Sequence, residues 1–566
     1  MFPVLSGCYA LLVTVVTTSV LTSALAAPGS ERSGSAQGDA GAVASDTAIT
    51  IAFGGDVSLG RHVNLVAARD GSSAPLEAVD ELRAADLALV NIESVEASAG
   101  ERTSKEGLNP VYFRGRPETL AVLRDAGIDV VTTANSHSGD YGVDALLERQ
   151  DHLAAMGIAG PGSGVDRASA CAPAYVEIRG IVIAIFSFDT SQPAFAAGEG
   201  TPGTCHVALG NIDAIRSMYE PLLLDARERA HVVLVAPHWG VEFEHEPSRS
   251  KREAGRLLID LGADAVLGSH AHLTQGVELH DGRPILHDAG NLLLSFDEPN
   301  EAALFELSVT VEGIQRIELV PLVAERGWTR RASEAEAAEI EAAFARRSMD
   351  LGTEVRERQV DLDPAGRPAP TRDAPISQST PGPSPAAITR PPPECLVSEV
   401  PEGAAIEPIE VGPMTLIGVR ARSEVRLLSG VVWVESYWRS DARLDRHLLL
   451  SSRGVPVERF GWIWYGEHEP CDWAWPTSRW VPGVIYRDEM MLRPPPALRS
   501  LAGGLARAAG LGSPISVSMG LTDGEQSLAQ TSVLLQVPYG VPFWLLELVA
   551  VAGLGSLVLT ARWWRR

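Results

Sequence analysis

Three histidines follow two short apolar runs, in a position where they could bind a metal ion. His238 follows the run 231–236, and His270 and His272 come just after the run 265–267. Continuous apolar runs of this length are typical of strands buried in a parallel sheet. Ligands of such sheets bind at the edge where the carboxyl ends of the strands lie. The three imidazoles therefore indicate a metal site at that edge.

Earlier strand-like runs end in carboxylate, amide and imidazole groups. These side chains belong to Asp56, Asn91, Glu93, Asn135 and His137. Oxygen and nitrogen ligands together suit a divalent ion such as Mn²⁺, Fe²⁺ or Zn²⁺, and the sequence does not choose among them. Glu93 could bridge two such ions, and His137 could protonate a leaving oxygen as a general acid.

Each of these residues also has a purely structural interpretation. Asp56 after two glycines could cap a helix, Asn135 could fill a turn, and His137 alone could be a hydrogen-bonded core histidine. Considered singly, each residue favours the structural interpretation. Their shared position at the ends of separate predicted strands favours one convergent site.

The elements that would position these groups alternate between strand and helix patterns from residue 48 to about 325. The strand runs are 49–53, 87–90, 128–133, 174–178, 181–187, 231–236 and 265–267, with further short strands up to residue 320. Helical patterns predict helices over 75–85, 117–126, 142–156, 211–229 and 248–261. Alternation of this kind predicts an α/β domain built in layers.

The second half of the chain has a different pattern. We predict a helical extension over 326–360 and an extended proline-rich linker over 361–394. Residues 395–537 show short β-like runs between turn residues, which predicts a small all-β sandwich. Seven tryptophans lie in this region, and we favour core packing over a carbohydrate-binding platform as their role.

Two apolar segments could place the chain at a membrane. Residues 1–27 have the pattern of a signal peptide or an N-terminal anchor, although no Lys or Arg precedes the apolar run. Residues 541–560 predict a transmembrane helix, and the arginines at 562, 565 and 566 favour a cytoplasmic C-terminus. We therefore expect a cell-membrane protein with a single C-terminal pass and with the bulk of the chain outside the cytoplasm.

The net charge bears on the partners of the chain, and the cysteines bear on its compartment. With 47 basic and 72 acidic residues the formal net charge is −25, which argues against nucleic acid as a partner. Cys171 and Cys205 lie in the first predicted domain, and Cys395 and Cys471 lie in the second. Two local disulfides in an oxidising compartment fit this distribution, and four free thiols are the alternative.

Six blocks of the first domain resemble one protein family. GDVSLGR at 55–61, NIES at 91–94, ANSHSGDYG at 134–142, HWGVE at 238–242, GSHAH at 268–272 and AGN at 289–291 resemble, in order, blocks of the CapA (poly-γ-glutamate capsule biosynthesis) family. The resemblance covers about residues 48–325 and implies a calcineurin-like metallophosphoesterase fold, a two-layered β-sandwich flanked by helices. It implies His137 as the general acid and Arg61 as a contact to an anionic substrate. The metal ligands that it implies are Asp56, Glu93, Asn135, His238, His270 and His272.

Two positions depart from the metallophosphoesterase pattern. That pattern has Asp-x-His at the first strand, whereas Ser58 stands in place of the histidine here, so one metal ligand is missing, as it generally is in CapA relatives. The Ala-Asn-Asn-His block of the family has Ser136 in place of its second amide, which leaves Asn135 and His137 intact.

The resemblance implies a role in the biosynthesis of a capsule or surface polymer of the poly-γ-glutamate type. The first hypothesis is a metal-dependent, phosphoesterase-like hydrolase or transferase that acts on an anionic surface polymer or its precursor. The alternative is a non-catalytic factor that binds the polymer in the metal cleft for assembly or export. The expected partners are the polymer, the cytoplasmic membrane and a polymer-synthase complex.

Overall fold

The structure is a computed structural model, and it describes residues 48–104, 111–295, 299–363, 368–377, 382–426, 429–456, 464–492, 513–522 and 527–537. Both predicted membrane segments, 1–27 and 541–560, lie outside these residues. Among the residues that are described, no helix has the length and apolar character that a membrane span requires.

The first half of the chain alternates strands and helices. Its strands are β1 Ile49–Val57, β2 Leu87–Ile92, β3 Val95–Glu96, β4 Arg114–Gly115, β5 Val130–Thr132, β6 Ser163–Gly164, β7 Ala174–Ile178, β8 Ile181–Asp189, β9 Gly203–Thr204, β10 Val232–His238, β11 Ala265–Leu267, β12 Val277–His280, β13 Arg283–Leu286, β14 Asn291–Leu293, β15 Asn300–Thr310, β16 Gly313–Glu325, β17 Trp328–Arg331 and β18 Gln359–Asp361. Its helices are α1 His62–Asp70, α2 Asp80–Ala84, α3 Ala121–Asp125, α4 Gly142–Met156, α5 Arg167–Ala170, α6 Ile212–Arg229, α7 Arg249–Asp260 and α8 Glu334–Asp350.

Two sheets of this half pack face to face around the main core. One sheet has the order β17-β16-β15-β14-β1-β2-β5, with β18 paired to β16, and the other has the order β12-β13-β11-β10-β8-β7. Ile51 and Phe53 of the first sheet share one buried cluster with Ile185 and Leu234 of the second. Burial of such side chains stabilises the sandwich by roughly 1.5–3 kcal/mol for each residue.

Helices cover the outer faces of both sheets. Ala52 points away from Ile51 and Phe53 because successive side chains of a strand alternate, and it packs with Leu82 of α2 and Leu123 of α3. On the other side of the sandwich, residues of β8 and β10 pack against α6 and α7. Since both faces are covered, the central strands β2, β8 and β10 are largely apolar. The layered α/β arrangement predicted from the sequence is therefore present.

One helix that positions the site was missed by the sequence analysis. Helix α1 begins directly after Arg61, and its first turn contains the polar residues His62 and Asn64, which are buried. Polar residues on the buried face remove the apolar periodicity that predicts a helix. Their partners lie far away in the sequence, as the Trp473 ring 5.7 Å from the His62 ring shows.

Two predictions for the connecting region are modified. Of the predicted helical extension 326–360, helix α8 covers residues 334–350, and its Ile340 and Phe344 are buried in the main core, where the Phe344 ring lies 5.4 Å from that of Phe305. The described residues 368–377 and 382–392 of the linker form neither helix nor strand. They are nevertheless tied to the first half, because the Ser377 amide donates to the Tyr175 carbonyl oxygen at 2.7 Å.

The second half forms two antiparallel sheets that share a core. Its strands are β19 Leu396–Val397, β20 Ala405–Val411, β21 Met414–Arg426, β22 Ser429–Arg439, β23 Leu449–Pro456, β24 Trp464–His468, β25 Ile485–Leu492, β26 Ser513–Thr522 and β27 Ser527–Val537. The sheets have the orders β19-β25-β22-β21-β20 and β24-β23-β26-β27. Trp438, Trp475 and Trp480 are buried in the cluster that joins them, as expected for core packing. Trp462 lies outside the described residues.

The cysteines follow the predicted pattern in one half only. Cys171 and Cys205 form a disulfide. Cys395 and Cys471 are buried free thiols, although the two side chains contact each other. The structure therefore contains the first of the two expected disulfides and a thiol pair in place of the second.

Candidate metal centre

The predicted ligands meet at one edge of the sandwich. Asp56 lies near the end of β1, beside Asn91 on β2 and Asn291 on β14. The strands approach closely because Gly55 has no side chain: a Cβ atom there would lie 1.9 Å from the Gly290 carbonyl oxygen. His238 is the last residue of β10 in the facing sheet. The ends of strands from both sheets thus bring oxygen and nitrogen ligands together.

A first group of ligands consists of Asp56, Glu93 and His272, whose candidate ligand atoms all lie within 4.8 Å of one another. The Nδ1 atom of His272 is 3.4 Å from Oδ2 of Asp56 and 3.9 Å from Oε2 of Glu93. Burial alone would lower the pKa of His272, but Glu93 and Asp56 outweigh it and raise that pKa to about 10. Burial and the neighbouring Asp56 raise the pKa of Glu93 well above its usual value, so a positive charge is needed to hold both carboxyl groups as anions, and a metal ion would supply it.

A second group consists of Glu93, His238 and His270, so that Glu93 belongs to both groups. The Nε2 atom of His238 lies 3.6 Å from Oε1 of Glu93, and the His238 and His270 ring centroids are 4.3 Å apart. Burial lowers the pKa of His238 well below its usual value and that of His270 to about 3. Both imidazoles are therefore neutral, the form that binds metal ions.

The donor atoms of the second group lack partners within the protein. Oε2 of Glu93, Nε2 of His238 and Nδ1 of His270 are buried and have no hydrogen-bond partner. A buried polar atom without a partner costs roughly 1–3 kcal/mol. Three such atoms in one group of ligands fit a divalent ion, and the shared Glu93 fits the bridging role expected of it. The donor set does not distinguish Mn²⁺, Fe²⁺ and Zn²⁺.

The loop that carries His270 and His272 is held in a strained conformation. The two residues have φ values of 105° and 60°, in the left-handed region that costs non-glycine residues about 1–3 kcal/mol each. Asp288 fixes the loop because its carboxylate accepts hydrogen bonds from the Ala271 amide at 2.9 Å and from Nζ of Lys251 at 3.1 Å. The buried pair of Lys251 and Asp288, which the sequence did not indicate, therefore stabilises the loop that carries His270 and His272.

Trp239 and Gly240 shape the neighbouring loop. Nε1 of Trp239 donates a hydrogen bond to the His287 carbonyl oxygen at 2.9 Å. Gly240 has a φ of 102°, which favours glycine. Neither residue belongs to the two groups of potential ligands.

Asn135 lies in the cluster but is engaged by the protein itself. Its Nδ2 donates to the Ile92 carbonyl oxygen at 2.7 Å and to Oδ1 of Asn91 at 3.1 Å. Its Oδ1 accepts hydrogen bonds from the His137 amide at 3.1 Å and from Oγ of Ser138 at 3.0 Å. These bonds shape the loop after β5, and the role of Asn135 as a metal ligand stays a prediction.

His137 forms a dyad with a carboxylate three residues later. Its Nδ1 lies 2.7 Å from Oδ2 of Asp140, and its Nε2 lies 3.9 Å from Oε1 of Glu93. The Phe113 ring lies 4.3 Å from the imidazole, and the Arg61 guanidinium lies 4.4 Å from the centre of the same ring. The predicted acid and the predicted anion contact thus flank one aromatic side chain. The spacing of three residues between His137 and Asp140 was the feature of the sequence that could have indicated Asp140 as the partner of His137.

The two departures from the metallophosphoesterase pattern have structural consequences. Ser58 is buried, and its Oγ accepts a hydrogen bond from the Gly60 amide at 3.4 Å, so the position of the missing histidine is used to shape the loop. Oγ of Ser136 donates to Oε1 of Glu93 at 3.2 Å. Ser136 therefore orients the carboxylate that the two groups share.

Comparisons with known proteins match the part of the chain that contains these residues. The model of the family described as bacterial capsule synthesis protein PGA_cap matches residues 50–295. The PGA biosynthesis protein CapA of Bacillus subtilis (strain 168) is 27% identical over 283 residues, which cover 49% of this chain and 72% of that protein. A probable polyglutamine synthesis accessory protein of Mycobacterium tuberculosis (strain ATCC 25618 / H37Rv) is 25% identical over 364 residues, 56% of this chain and 95% of that protein.

A solved structure, TT1561 of Thermus thermophilus, is similar to a lower degree. It is 10% identical with a TM-score of 0.27, covering 47% of this chain and all (100%) of that chain. A TM-score this low carries no weight for the fold, and the assignment depends on the sequence matches. The matched region contains the two groups of ligands and the His137–Asp140 dyad. These sequence matches support a CapA family assignment for residues 50–295.

Proposed function

We propose that this protein acts in the biosynthesis of a capsule or surface polymer of the poly-γ-glutamate type, as a metal-dependent, phosphoesterase-like hydrolase or transferase. One observation carries the catalytic part of the proposal. Three buried donor atoms, on Glu93, His238 and His270, have no hydrogen-bond partner among the described residues and belong to one group of potential ligands. A buried group of this kind is costly unless it binds a cation. The names of the two relatives support the pathway.

The residues around the centre have the functions that phosphoryl chemistry needs. Asp56, Glu93 and His272 would hold one ion, and Glu93, His238 and His270 would hold another. Divalent ions in such a site polarise a phosphoryl oxygen and lower the pKa of a bound water. His137, oriented by Asp140, would donate a proton to the leaving oxygen. Arg61 would hold an anionic part of the substrate beside Phe113.

We also propose that the bulk of the chain lies outside the cytoplasm and is anchored in the cell membrane by the segment 541–560. The disulfide between Cys171 and Cys205 supports an oxidising compartment. A formal net charge of −25 favours an anchor of this kind, because the chain would be repelled by anionic headgroups. The partners in this location would be the anionic polymer or its precursor and a polymer-synthase complex.

A non-catalytic function is the second candidate, and Ser58 is the observation that favours it. The first group of potential ligands consists of three residues, and Ser58 stands where the metallophosphoesterase pattern has a further ligand. A weakly held ion at this point could bind the carboxylates of an anionic polymer without hydrolysis. In this case the protein would assist assembly or export of the polymer.

Metal analysis combined with a hydrolysis assay distinguishes the two candidates. Full-length protein in detergent is exposed to Mn²⁺, Fe²⁺ or Zn²⁺, and its metal content is measured by mass spectrometry. Hydrolysis of bis(p-nitrophenyl) phosphate is then measured for the wild type and for His137→Ala. We expect His137→Ala to keep its metal and to lose about 10²–10⁴-fold in kcat.

His280→Ala is the matched control, because His280 lies outside the centre and contacts Asp260. It should behave as the wild type in both measurements. A protein that binds the metal, hydrolyses no phosphodiester and tolerates His137→Ala in polymer-producing cells would support the non-catalytic function. A protein that binds none of the three ions would contradict both candidates.

A further inference from the structure

A short segment of the second half reaches the loops of the metal centre. It consists of residues 469–473, and we call it the clasp segment. Three of its consecutive residues, Cys471, Asp472 and Trp473, have φ values of 58°, 55° and 66°. Non-glycine residues persist in this left-handed region only where their surroundings determine the conformation. The contacts of the clasp segment therefore show what holds it in place.

Asp472 is the residue of the clasp segment that contacts the loop after His137. Its carboxylate accepts a hydrogen bond from the Tyr141 hydroxyl and one from Nε of Arg102 at 2.8 Å. Burial alone would raise the pKa of Asp472, but Arg102 outweighs it and holds that pKa at about 2. Asp472 is therefore an anion that binds two groups of the first half at once.

Tyr141 and Arg102, the two partners of Asp472, are both close in the chain to residues that hold the loop of the His137–Asp140 dyad. Tyr141 directly follows Asp140 in the chain. Arg102 directly precedes Thr103, whose amide donates to the Asp140 carbonyl oxygen at 2.9 Å and whose Oγ1 donates to the Gly139 carbonyl oxygen at 2.8 Å. The loop that carries the dyad is thus restrained through Tyr141 and through the segment of Arg102 and Thr103, and Asp472 contacts both Tyr141 and Arg102.

The ends of the clasp segment hold helix α1. Glu469 forms a buried ion pair with Arg116, which also donates a hydrogen bond to the Asn64 carbonyl oxygen at 2.6 Å. Trp473 is buried with Leu65 of the same helix. These contacts fix the docking of the segment on the first half. Asp472 is consequently placed by an interface that does not include the metal ligands.

We infer that Asp472 is a positioning residue for His137 and acts through Tyr141 and Arg102. The inference rests on the proposed function for its catalytic consequence, but the restraint of the loop is independent of that function. Positional errors of about 1 Å can cost roughly 10²-fold in rate. A segment outside the family domain would therefore set the rate of the reaction at the metal centre.

The test compares Asp472→Asn with Glu489→Gln in the full-length protein. Glu489 is the matched control because it lies 3.8 Å from the same Arg102 guanidinium and lines the same cavity of about 410 Å³. Each variant removes one negative charge beside that guanidinium. The substrates are methyl 4-nitrophenyl phosphate and methyl phenyl phosphate, which differ in how much they need a proton on the leaving oxygen.

We expect Asp472→Asn to lose about tenfold in kcat with the phenyl ester and less with the nitrophenyl ester, with KM and metal content unchanged. Tyr141→Phe should reproduce this dependence on the leaving group, and Asp472→Glu should restore part of the rate. Glu489→Gln should resemble the wild type. A merely structural role of Asp472 would lower the rates of both substrates equally.

Hydrogen exchange of the peptide that spans residues 135–142 provides a measurement that needs no catalysis. The amides of this peptide should exchange at least about tenfold faster in Asp472→Asn than in Glu489→Gln, because local opening becomes easier. If the wild type hydrolyses neither ester, the proposed function fails. The exchange rates alone then decide whether Asp472 restrains the loop. Equal exchange in the two variants would overturn the inference.

Discussion

The two β-sandwiches of this chain each bury histidine near carboxylate, but with different geometry. In the second sandwich, Nε2 of His468 lies 2.8 and 3.0 Å from the two oxygens of Asp488. In the first, Nε2 of His238 lies 3.6 Å from Glu93 and has no hydrogen-bond partner, and Nδ1 of His270 has none either. The arrangement in the second sandwich is a closed ion pair, and the arrangement in the first sandwich leaves room for an ion.

The difference in geometry changes the charge of the imidazoles. Burial alone would lower the pKa of His468, but Asp488 outweighs it and raises that pKa. Burial lowers the pKa values of His238 and His270 instead, so these rings are neutral. Both groups of potential metal ligands found among the described residues lie in the first half. The His468 imidazole is thus closed into an ion pair, whereas Nε2 of His238 and Nδ1 of His270 are open to an ion.

The largest expected effect is on metal binding by Glu93→Gln. Glu93 belongs to both groups of ligands, so its loss should weaken both sites. Loss of residues that only support a ligand costs about 10–100-fold in metal affinity, so loss of this shared ligand should cost at least about 100-fold. Metal content after dialysis against a chelator, measured by mass spectrometry, checks this prediction.

His468→Gln serves as the matched control for Glu93→Gln. It removes a buried imidazole from the second sandwich, where the pair with Asp488 is closed. The variant should keep the metal content of the wild type. Equal metal loss in the two variants would show that the comparison between the sandwiches is wrong.

A core substitution in the second sandwich should affect stability rather than metal binding. Trp438 is 0% exposed and lies in the cluster that joins the two sheets. Trp438→Ala should lower the free energy of unfolding of this half by about 3–5 kcal/mol. Denaturant unfolding followed by tryptophan fluorescence measures the change, with Leu528→Ala as control because Leu528 is 41% exposed. A loss of metal without a loss of stability would contradict the prediction.

The smallest expected effect is a pH dependence of stability that arises from His468. Because Asp488 raises the pKa of His468 in the folded state, folding favours the protonated ring. This contribution is complete below the pKa of an unfolded histidine, about 6.5. It is lost as the pH rises through the higher pKa of the folded protein.

The urea concentration at the midpoint of unfolding should therefore decrease as the pH rises above about 6.5 in the wild type, and should decrease less in His468→Gln. His280→Gln is the control, since His280 pairs with Asp260 at the surface. If the wild type and His468→Gln showed the same decrease, the ion pair would not contribute to this dependence.

Much of the first domain could be predicted because its information is local. Apolar runs identify β10 and β11, and the residues at their ends identify His238, His270 and His272 as neighbours. Helix α4 begins and ends where the pattern predicts, at Gly142 and Met156. Such patterns are readable because each strand or helix carries its own periodicity.

Contacts between distant segments could not be predicted in this way. Helix α1 was missed because His62 and Asn64 are polar and find their buried partners elsewhere in the fold. Lys251 and Asp288, which fix the histidine loop, are 37 residues apart and do not form a motif. The pairing of Tyr141 with Asp472 spans 331 residues.

The sequence by itself determined most strands of the first domain, the residue types at their ends and the resemblance to the CapA family, since all three depend on local order along the chain. Only the tertiary structure decided which donor atoms lack partners, that Glu93 is shared by two groups of ligands and that Asn135 is engaged by the protein. The physical reason is that hydrogen bonding and desolvation depend on which distant segments approach one another. A sequence motif can therefore name the candidate ligands of a metal centre, but the packing of the whole chain positions them.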